Sequence, residues 1–431
     1  MKLLKLQLEN FRNYKSYSYE FDRKNNFTII KGPNGKGKTN LLEAIYVLSL
    51  GKSFRAVLHE DLMLWGMDYL RVTGSVENDE ETLELEVFYT NYPEKKKNFK
   101  KNGVNLKNSE YIGNLITVLF QPEDMNILYL SPQLRRRYMD ILLSQTDKPY
   151  LKALIKYNKT LKQRNALLNE IRKSKFSGHS RPFACPSQEG HSRPAISHSR
   201  PAISHSRPAI SHSRPAISHS RPDRESTSEK AKIPHQVRND NLLKDLDAWD
   251  EELIKFGSTI TEKRLELVKF LDEKLEKTYQ SISGEKEKIH IKYKSKVVDQ
   301  KEVFPLERTY SDAMASAQDK DILQAKTSVG PHRDDLVFFI DNKDITQVAS
   351  RGEFRTLLLA IKLAEIDFIK QKTGQSPILL LDDVFSELDK TRQEKLLKAI
   401  KNCQTIIATT DTENIGKLAE DSALLELAGK A

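Results

Sequence analysis

The hydrophobic positions fall into three recurring patterns. Met1-Lys2-Leu3-Leu4-Lys5-Leu6-Gln7-Leu8 alternates polar and apolar residues, the period of a half-buried strand rather than the uninterrupted apolar run of a signal peptide. Short runs at Phe27–Ile30, Ile116–Phe120, Ile378–Leu381 and Thr405–Ala408, apolar but for Thr28, Thr117 and Thr405, predict strands covered on both faces. Leucines spaced by three and four over Tyr150–Lys173 and Leu242–Tyr279, and again over Leu357–Ile369, predict long helices. Strands at both ends with helices between them predict an α/β protein.

Between the two central helical stretches the pattern stops. His191, His198, His205, His212 and His219 each begin His-Ser-Arg-Pro, and the first four copies continue Ala-Ile-Ser. A proline every seven residues forbids a continuous helix, and flexible Ser-Arg-Pro spacers give the histidines no rigid arrangement for a metal. Residues 174–240 are therefore expected to be a disordered insertion resembling translated repetitive DNA, with no part in the chemistry. At a helix–helix connection its length costs little, because loop-closure entropy grows slowly.

Composition changes this picture in two places. The net charge of +10 suggests a polyanionic partner, but residues 174–240 carry eleven Lys and Arg against five Asp and Glu, a surplus of +6 that leaves only +4 elsewhere. Net charge is thus weak evidence for nucleic acid. Two cysteines, Cys185 and Cys403, cannot build a disulfide framework, which fits a reducing compartment. No stretch approaches the roughly 20 apolar residues needed to span a bilayer, so a cytoplasmic protein with no membrane partner is expected.

The chemistry is concentrated at two distant motifs. The strand Phe27–Ile30 runs into Gly32-Pro33-Asn34-Gly35-Lys36-Gly37-Lys38-Thr39 and then an apolar helix, Asn40–Leu50. This is G-x-x-x-x-G-K-[ST] in its strand–loop–helix context. The glycines let successive N–H groups face a β-phosphate, and the helix N-terminus adds positive potential. Lys38 is expected to bridge the β- and γ-phosphates of ATP, and Thr39 to place its hydroxyl on Mg²⁺. Far downstream, the strand Ile378–Leu381 ends in Asp382-Asp383. Asp382 is the expected metal-side acid, and Asp383 the group that orients or deprotonates the attacking water.

The wide separation of these motifs resembles ATP-binding cassette heads and their SMC relatives. Ser350-Arg351-Gly352-Glu353 opens a helix as a cassette signature does, so Ser350 and Gly352 are expected to serve the γ-phosphate of a second subunit. Ser386-Glu387-Leu388-Asp389 resembles a D-loop, and Thr409-Thr410-Asp411 stands where transporters carry a switch histidine. The predicted architecture is a P-loop ABC/SMC-type ATPase head with a second, mainly helical lobe. Residues 1–120 and 300–431 would form the head, and 121–299 the helical lobe. A transporter subunit should show a clean Leu-Ser-Gly-Gly-Gln signature, and another SMC-like chromosome ATPase should carry longer heptad arms than 242–299 allows.

Outside 174–240 the chain resembles one family in particular, RecF, the DNA replication and repair ATPases. The similarity is carried by Glu9-Asn10-Phe11-Arg12-Asn13-Tyr14, Gly32–Ile45, Gly51-Lys52-Ser53-Phe54-Arg55, Phe120-Gln121-Pro122-Glu123-Asp124, Gln163–Leu168, Gly330-Pro331-His332-Arg333-Asp334-Asp335 and Leu380–Asp389. Glu353 departs from it, standing where the family usually has glutamine. The resemblance implies an ATP-dependent homodimer around two nucleotides that binds duplex and gapped single-stranded DNA. With RecR, and functionally RecO, it would help RecA load, with slow hydrolysis as a switch. It also places Arg12 and Tyr14 near adenine or ribose and likens Gln121 to a Mg²⁺-sensing glutamine. The turn His332–Asp335 falls either near the nucleotide or in a buried ion-pair turn. Asp383 is one methylene shorter than the glutamate common in cassette enzymes, which would hold water less well and slow turnover. For DNA phosphates the candidates are Arg135, Arg136 and Arg137, then Lys52 with Arg55, and last the run Lys95–Lys101, read as a hairpin tip.

Overall fold

The computed structural model describes residues 1–79, 81–176, 235–298, 305–410 and 422–427. Most of the expected insertion, and Asp411, lie outside the described residues.

The chain opens with a hairpin, β1 (Lys2–Phe11) and β2 (Tyr14–Glu20), then passes through β3 (Phe27–Lys31) into the helix α1 (Lys38–Leu50). Four strands follow: β4 (Tyr69–Glu77), β5 (Thr82–Thr90), β6 (Lys96–Lys101) and β7 (Val104–Leu106). After the short α2 (Asn108–Tyr111), β8 (Thr117–Phe120) and α3 (Asn126–Tyr129) come the long helices α4 (Pro132–Thr146), α5 (Lys148–Phe176) and α6 (His235–Ser283). The remainder is β9 (Ile289–Lys294), α7 (Leu306–Gln324), β10 (Asp335–Ile340), β11 (Lys343–Asp344), α8 (Ile345–Val348), α9 (Arg351–Thr373), β12 (Ile378–Asp382), α10 (Lys390–Ile400), β13 (Thr405–Thr409) and β14 (Ala423–Glu426).

A five-stranded sheet in the order β14-β3-β13-β12-β8, parallel throughout, forms the centre. Its strands come from both ends of the chain, as the four apolar runs predict. Period-2 alternation sends Ile29, Leu379, Leu381 and Ile407 into one core, and Ile30, Leu380, Ile406 and Ala408 into the other. The second core is closed by α1 and by an antiparallel sheet in the order β2-β1-β4-β5-β6-β7, whose inward Leu70, Val72, Leu85 and Val87 alternate with polar residues. The first core is closed by α9 and the helices α4 to α6.

Two features depart from the sequence reading. Lys96–Lys101 is a strand paired along β5 rather than a hairpin tip, with Val87 opposite buried Phe99. A three-stranded sheet, β11-β10-β9, was not foreseen; it draws Ile289–Lys294 to the strand that follows His332–Asp335. The helices α5 and α6 pack on each other, with α5 ending at Phe176 and α6 beginning at His235. This is the predicted placement of the insertion at a helix–helix connection. Among the described residues, no helix is long and apolar enough to cross a membrane.

Candidate functional site

Strand register decides where the site lies. Thr409 stands opposite Lys31, Ala408 opposite Asp382, and Phe120 opposite Leu381. The segments leaving β3, β13, β12 and β8 therefore emerge at one carboxyl edge of the sheet, where ligands of open parallel sheets bind. Gly32, Thr410, Asp383 and Gln121 each begin such an exit.

The loop from Gly32 to Gly37 curls as its glycines permit. Gly35 and Gly37 have φ of 78° and 100°, a region L side chains rarely adopt. A Cβ on Gly37 would stand 2.7 Å from the Tyr14 hydroxyl, and that hydroxyl donates to the Gly37 carbonyl at 3.2 Å. Pro33, Asn34 and Gly35 are exposed, Lys36 half-buried and Lys38 buried. The Lys38 ammonium folds back on the carbonyls of Gly32 and Pro33 at 2.6 and 3.1 Å. Burial lowers its pKa, opposed by the charges of Asp383 and Asp382. The Thr39 hydroxyl donates to Asp382 Oδ1 at 3.0 Å. Burial raises the pKa of Asp382, partly offset by that hydrogen bond and by Arg55.

Asp383 sits beyond the strand in a left-handed conformation, φ 52°, with its N–H donated to the Ala408 carbonyl at 2.9 Å. Its Oδ1 is buried without a hydrogen-bond partner. Burial raises its pKa, Lys38 lowers it and Glu387 raises it. A phosphate cradle, an ammonium held only by loop carbonyls, a hydroxyl–carboxylate pair and an unpartnered buried carboxylate oxygen together fit a magnesium–triphosphate. The loop N–H groups and Lys38 would hold the phosphates, and Thr39 with Asp382 the metal, which supplies charge neutralisation of the phosphates when bound.

Arg12 is held by α1 and the segment after it. Its guanidinium donates twice to Glu43, both at 2.8 Å, and once to the Asp61 carbonyl at 2.7 Å. Tyr14 does line a cavity of about 530 Å³ beside the P-loop, with Asn13, Tyr17, Gly35, Lys36 and Leu427. Arg12 is not among its walls, because Glu43 holds the guanidinium against α1. Glu43 also accepts from Arg55 at 2.7 Å and from Ser53. Burial pushes its pKa up, but these hydrogen bonds outweigh that and hold the carboxylate below its ordinary value. Glu43 escaped the sequence reading, though an acid inside the apolar run Leu41–Leu50 was its visible signal. Asn13 and Asn40 were missed as well; they bond each other at 2.8 Å and brace the loop.

Ser350 caps α9 in a reciprocal box with Glu353, accepting from its N–H at 3.3 Å and donating its own N–H to the Glu353 carboxylate at 2.6 Å. The acid at the departing position is thus a helix-capping group. Gly352 presents its carbonyl to Thr356 and Arg392. The hydrogen bonds of Ser350 and Gly352 therefore come from α9 and α10, not from the P-loop of the same chain.

Among the basic candidates, Arg135 requires a correction. It is buried and makes a two-pronged ion pair with Asp335, at 2.7 and 2.9 Å. Burial and Asp335 leave it no reach to a phosphate. Arg55 stays exposed while one guanidinium nitrogen donates to both Asn40 and Glu43 at 2.7 Å, turning the head toward α1. Arg136 is half-buried and donates to the Asp334 carbonyl at 2.7 Å, whereas Arg137 and Lys52 are exposed. Lys52, Arg136 and Arg137 converge on a cleft of about 620 Å³ between α1, α4 and α5, with Tyr157 and His332 at its wall. In the lysine run, Lys95 pairs with Glu60, Lys97 with the Gly51 carbonyl, Lys100 with Glu86 and Lys101 with Glu81. The turn Pro331–Asp335 is an ion-pair and hydrogen-bond hub. Arg264 donates to the Pro331 carbonyl at 2.7 Å, Tyr157 meets His332 at 2.7 Å, and Tyr293 donates to Asp334 at 2.7 Å.

Fold and site together define a P-loop ATPase head of the ABC/SMC type. The family described as "RecF/RecN/SMC N terminal domain" matches residues 2–426. The DNA replication and repair protein RecF of Streptococcus equi subsp. equi is 34% identical over 432 residues, covering 99% of this chain and 96% of that protein. RecF of Oceanobacillus iheyensis is 33% identical over 419 residues, covering 96% and 95%. A solved structure described as the recombination mediator protein RecF-ATPrS in the RecFOR pathway superposes with a TM-score of 0.74 at 29% identity, covering 96% of this chain and 93% of that one. Its RecF-ATP counterpart gives 0.73 at 30% identity, covering 95% and 92%. The chain belongs to the RecF family.

Proposed function

We propose that this protein is an ATP-dependent DNA-binding protein of recombinational repair and replication. It binds duplex and gapped single-stranded DNA and promotes RecA loading together with RecR and, functionally, RecO. The observation that carries the reading is the contact of Thr39 with Asp382, which joins the phosphate loop to the metal-side acid. The solved relatives described with ATP support nucleotide binding.

Two copies close around two nucleotides. Ser350 and Gly352 of one copy cover the γ-phosphate held by the P-loop of the other, a role favoured by their lack of hydrogen bonds to their own P-loop. The base occupies the cavity walled by Tyr14 and Tyr17. Gln121, one residue beyond the Phe120–Leu381 pairing and so at the same sheet edge as Asp382, senses the metal. Asp383 holds or deprotonates the attacking water, and its short side chain keeps turnover slow, so hydrolysis ends the bound state.

DNA lies along the cleft that carries Lys52, Arg136 and Arg137. These cations neutralise phosphates without reading bases, so affinity falls steeply with salt. The residues proposed for the head, 1–120 and 300–431, hold the nucleotide, and 121–299 the DNA-facing helices. The test is DNA retention and oligomeric mass of the purified protein with ATP, ADP and no nucleotide. ATP-specific retention by a dimer is expected; equal retention in all three conditions defeats the reading.

A further inference from the structure

Three charged side chains lie in the core between the nucleotide edge and the helices. Lys362 of α9 is 6% exposed and Glu365, one turn on, 3%. The Lys362 ammonium stands 3.3 Å from Asp124 Oδ2 and 3.5 Å from Glu365 Oε2. It also lies over the ring of Tyr138 on α4, 5.7 Å from the centroid. Asp124 belongs to the 3-10 turn Pro122–Met125, and its Oδ2 accepts the backbone N–H of Gln121 at 3.2 Å. Gln121 in turn follows Phe120, which pairs with Leu381, the residue before Asp382. One carboxylate oxygen thus ties the turn after β8 to the middle of the helix that Ser350 caps.

Burying these ions is unfavourable in itself, and apolar residues of similar volume often serve a core as well or better. What the ions add is register. Glu365 lies on α9 with Lys362, so it is the contact to Asp124 that the ammonium keeps only while α9 and the Gln121 turn hold one relative position. From Lys362 to Ser350 is twelve residues of continuous helix, about 18 Å at the rise of an α-helix, so a small shift at Lys362 is delivered to the signature end.

We propose that Lys362, through Asp124, is a positioning residue that locks the signature helix α9 to the Gln121 segment, so that nucleotide at the P-loop sets the position of Ser350. This rests on the ATP-binding reading. The link acts on the geometry of the second nucleotide contact and not on the affinity of the P-loop itself.

The test is hydrogen exchange of the full-length protein with and without ATP and Mg²⁺, read over residues 31–50 and 350–357. Wild type should gain protection in both segments. Lys362→Met combined with Asp124→Asn and Glu365→Gln removes every charge, while the amide oxygen introduced by Asp124→Asn can still accept the Gln121 N–H. The triple variant should keep the protection of 31–50, with ATP affinity within about threefold of wild type, but lose the protection of 350–357. Lys362→Arg, which preserves the ion pair, should restore the wild-type response. The inference is overturned if the triple variant protects 350–357 as wild type does, or if wild type protects 31–50 alone. No protection of 31–50 in wild type removes the ATP-binding reading itself, and the inference with it.

Discussion

Thr39 and Asp382 share a hydrogen bond of 3.0 Å although 343 residues separate them along the chain. The hydroxyl sits at the start of α1 and the carboxylate at the end of β12, so the pair forms only when β3, β13 and β12 align in register. Lys38→Ala should lower nucleotide affinity at least about tenfold, roughly 1.4 kcal/mol, measured by titration with a fluorescent ATP analogue. Asp382→Asn should retain nucleotide but lose the Mg²⁺ dependence of its binding.

Asp383 gives a separable outcome. Asp383→Asn should keep ATP binding while turnover falls by about 10²–10⁴, the range for loss of a general base. Burial raises its pKa above that of an ordinary carboxylate. In the proposed role the working form is the carboxylate, so the wild-type rate should be full above that raised pKa and fall as the pH drops through it. Asp383→Glu should raise turnover, because the longer side chain reaches further toward water; an unchanged rate refutes the carboxylate-length account.

Neighbouring arginines should separate stability from DNA binding. Arg135→Ala leaves half-buried Asp335 without its cation and should destabilise the fold by about 2–3 kcal/mol, toward the low end for a broken buried pair, read from denaturant unfolding. Arg137→Ala should leave stability within about 0.5 kcal/mol. It should weaken DNA binding alike for all sequences and reduce the salt slope by about 1.

Burial lowers the pKa of His332 to about 4. The unfolded chain takes up this proton near pH 6.5 and the folded one only near pH 4, so the contribution of neutral His332 is whole above pH 6.5 and is lost as pH falls toward 4. Over that window wild type should lose up to about 3 kcal/mol that His332→Gln does not, measured as the difference between their unfolding free energies at each pH.

Replacing residues 177–234 with a short Gly-Ser linker should leave ATP affinity and ATP-dependent DNA retention within about twofold. The helices α5 and α6 that flank them pack on each other directly, and shortening a loop changes its closure entropy only logarithmically. Loss of DNA retention on this replacement would assign the His-Ser-Arg-Pro repeat a role in binding.

The sequence alone determined the parts whose cause is local. Gly32–Thr39 declares itself because a phosphate cradle needs glycines, lysine and a hydroxyl at fixed intervals on one strand–loop–helix. The runs Phe27–Ile30, Ile378–Leu381 and Thr405–Ala408 declare strands because a sheet covered on both faces selects apolar and β-branched residues, Thr28 and Thr405 being the only polar positions in them. What only the tertiary structure decided is which charges remain available. Arg135, Arg136 and Arg137 are identical as residues, but helical periodicity turns the first into the core against Asp335 and leaves the last in the cleft. Arg12 and Arg55 are drawn to Glu43 for the same kind of reason. A buried carboxylate must be satisfied, and its partners come from segments that sequence spacing does not connect. The locks at Glu43, Asp124 and Lys362 close only where distant elements pack; the acid within Leu41–Leu50 marks Glu43 as unusual, but spacing along the chain names none of the partners.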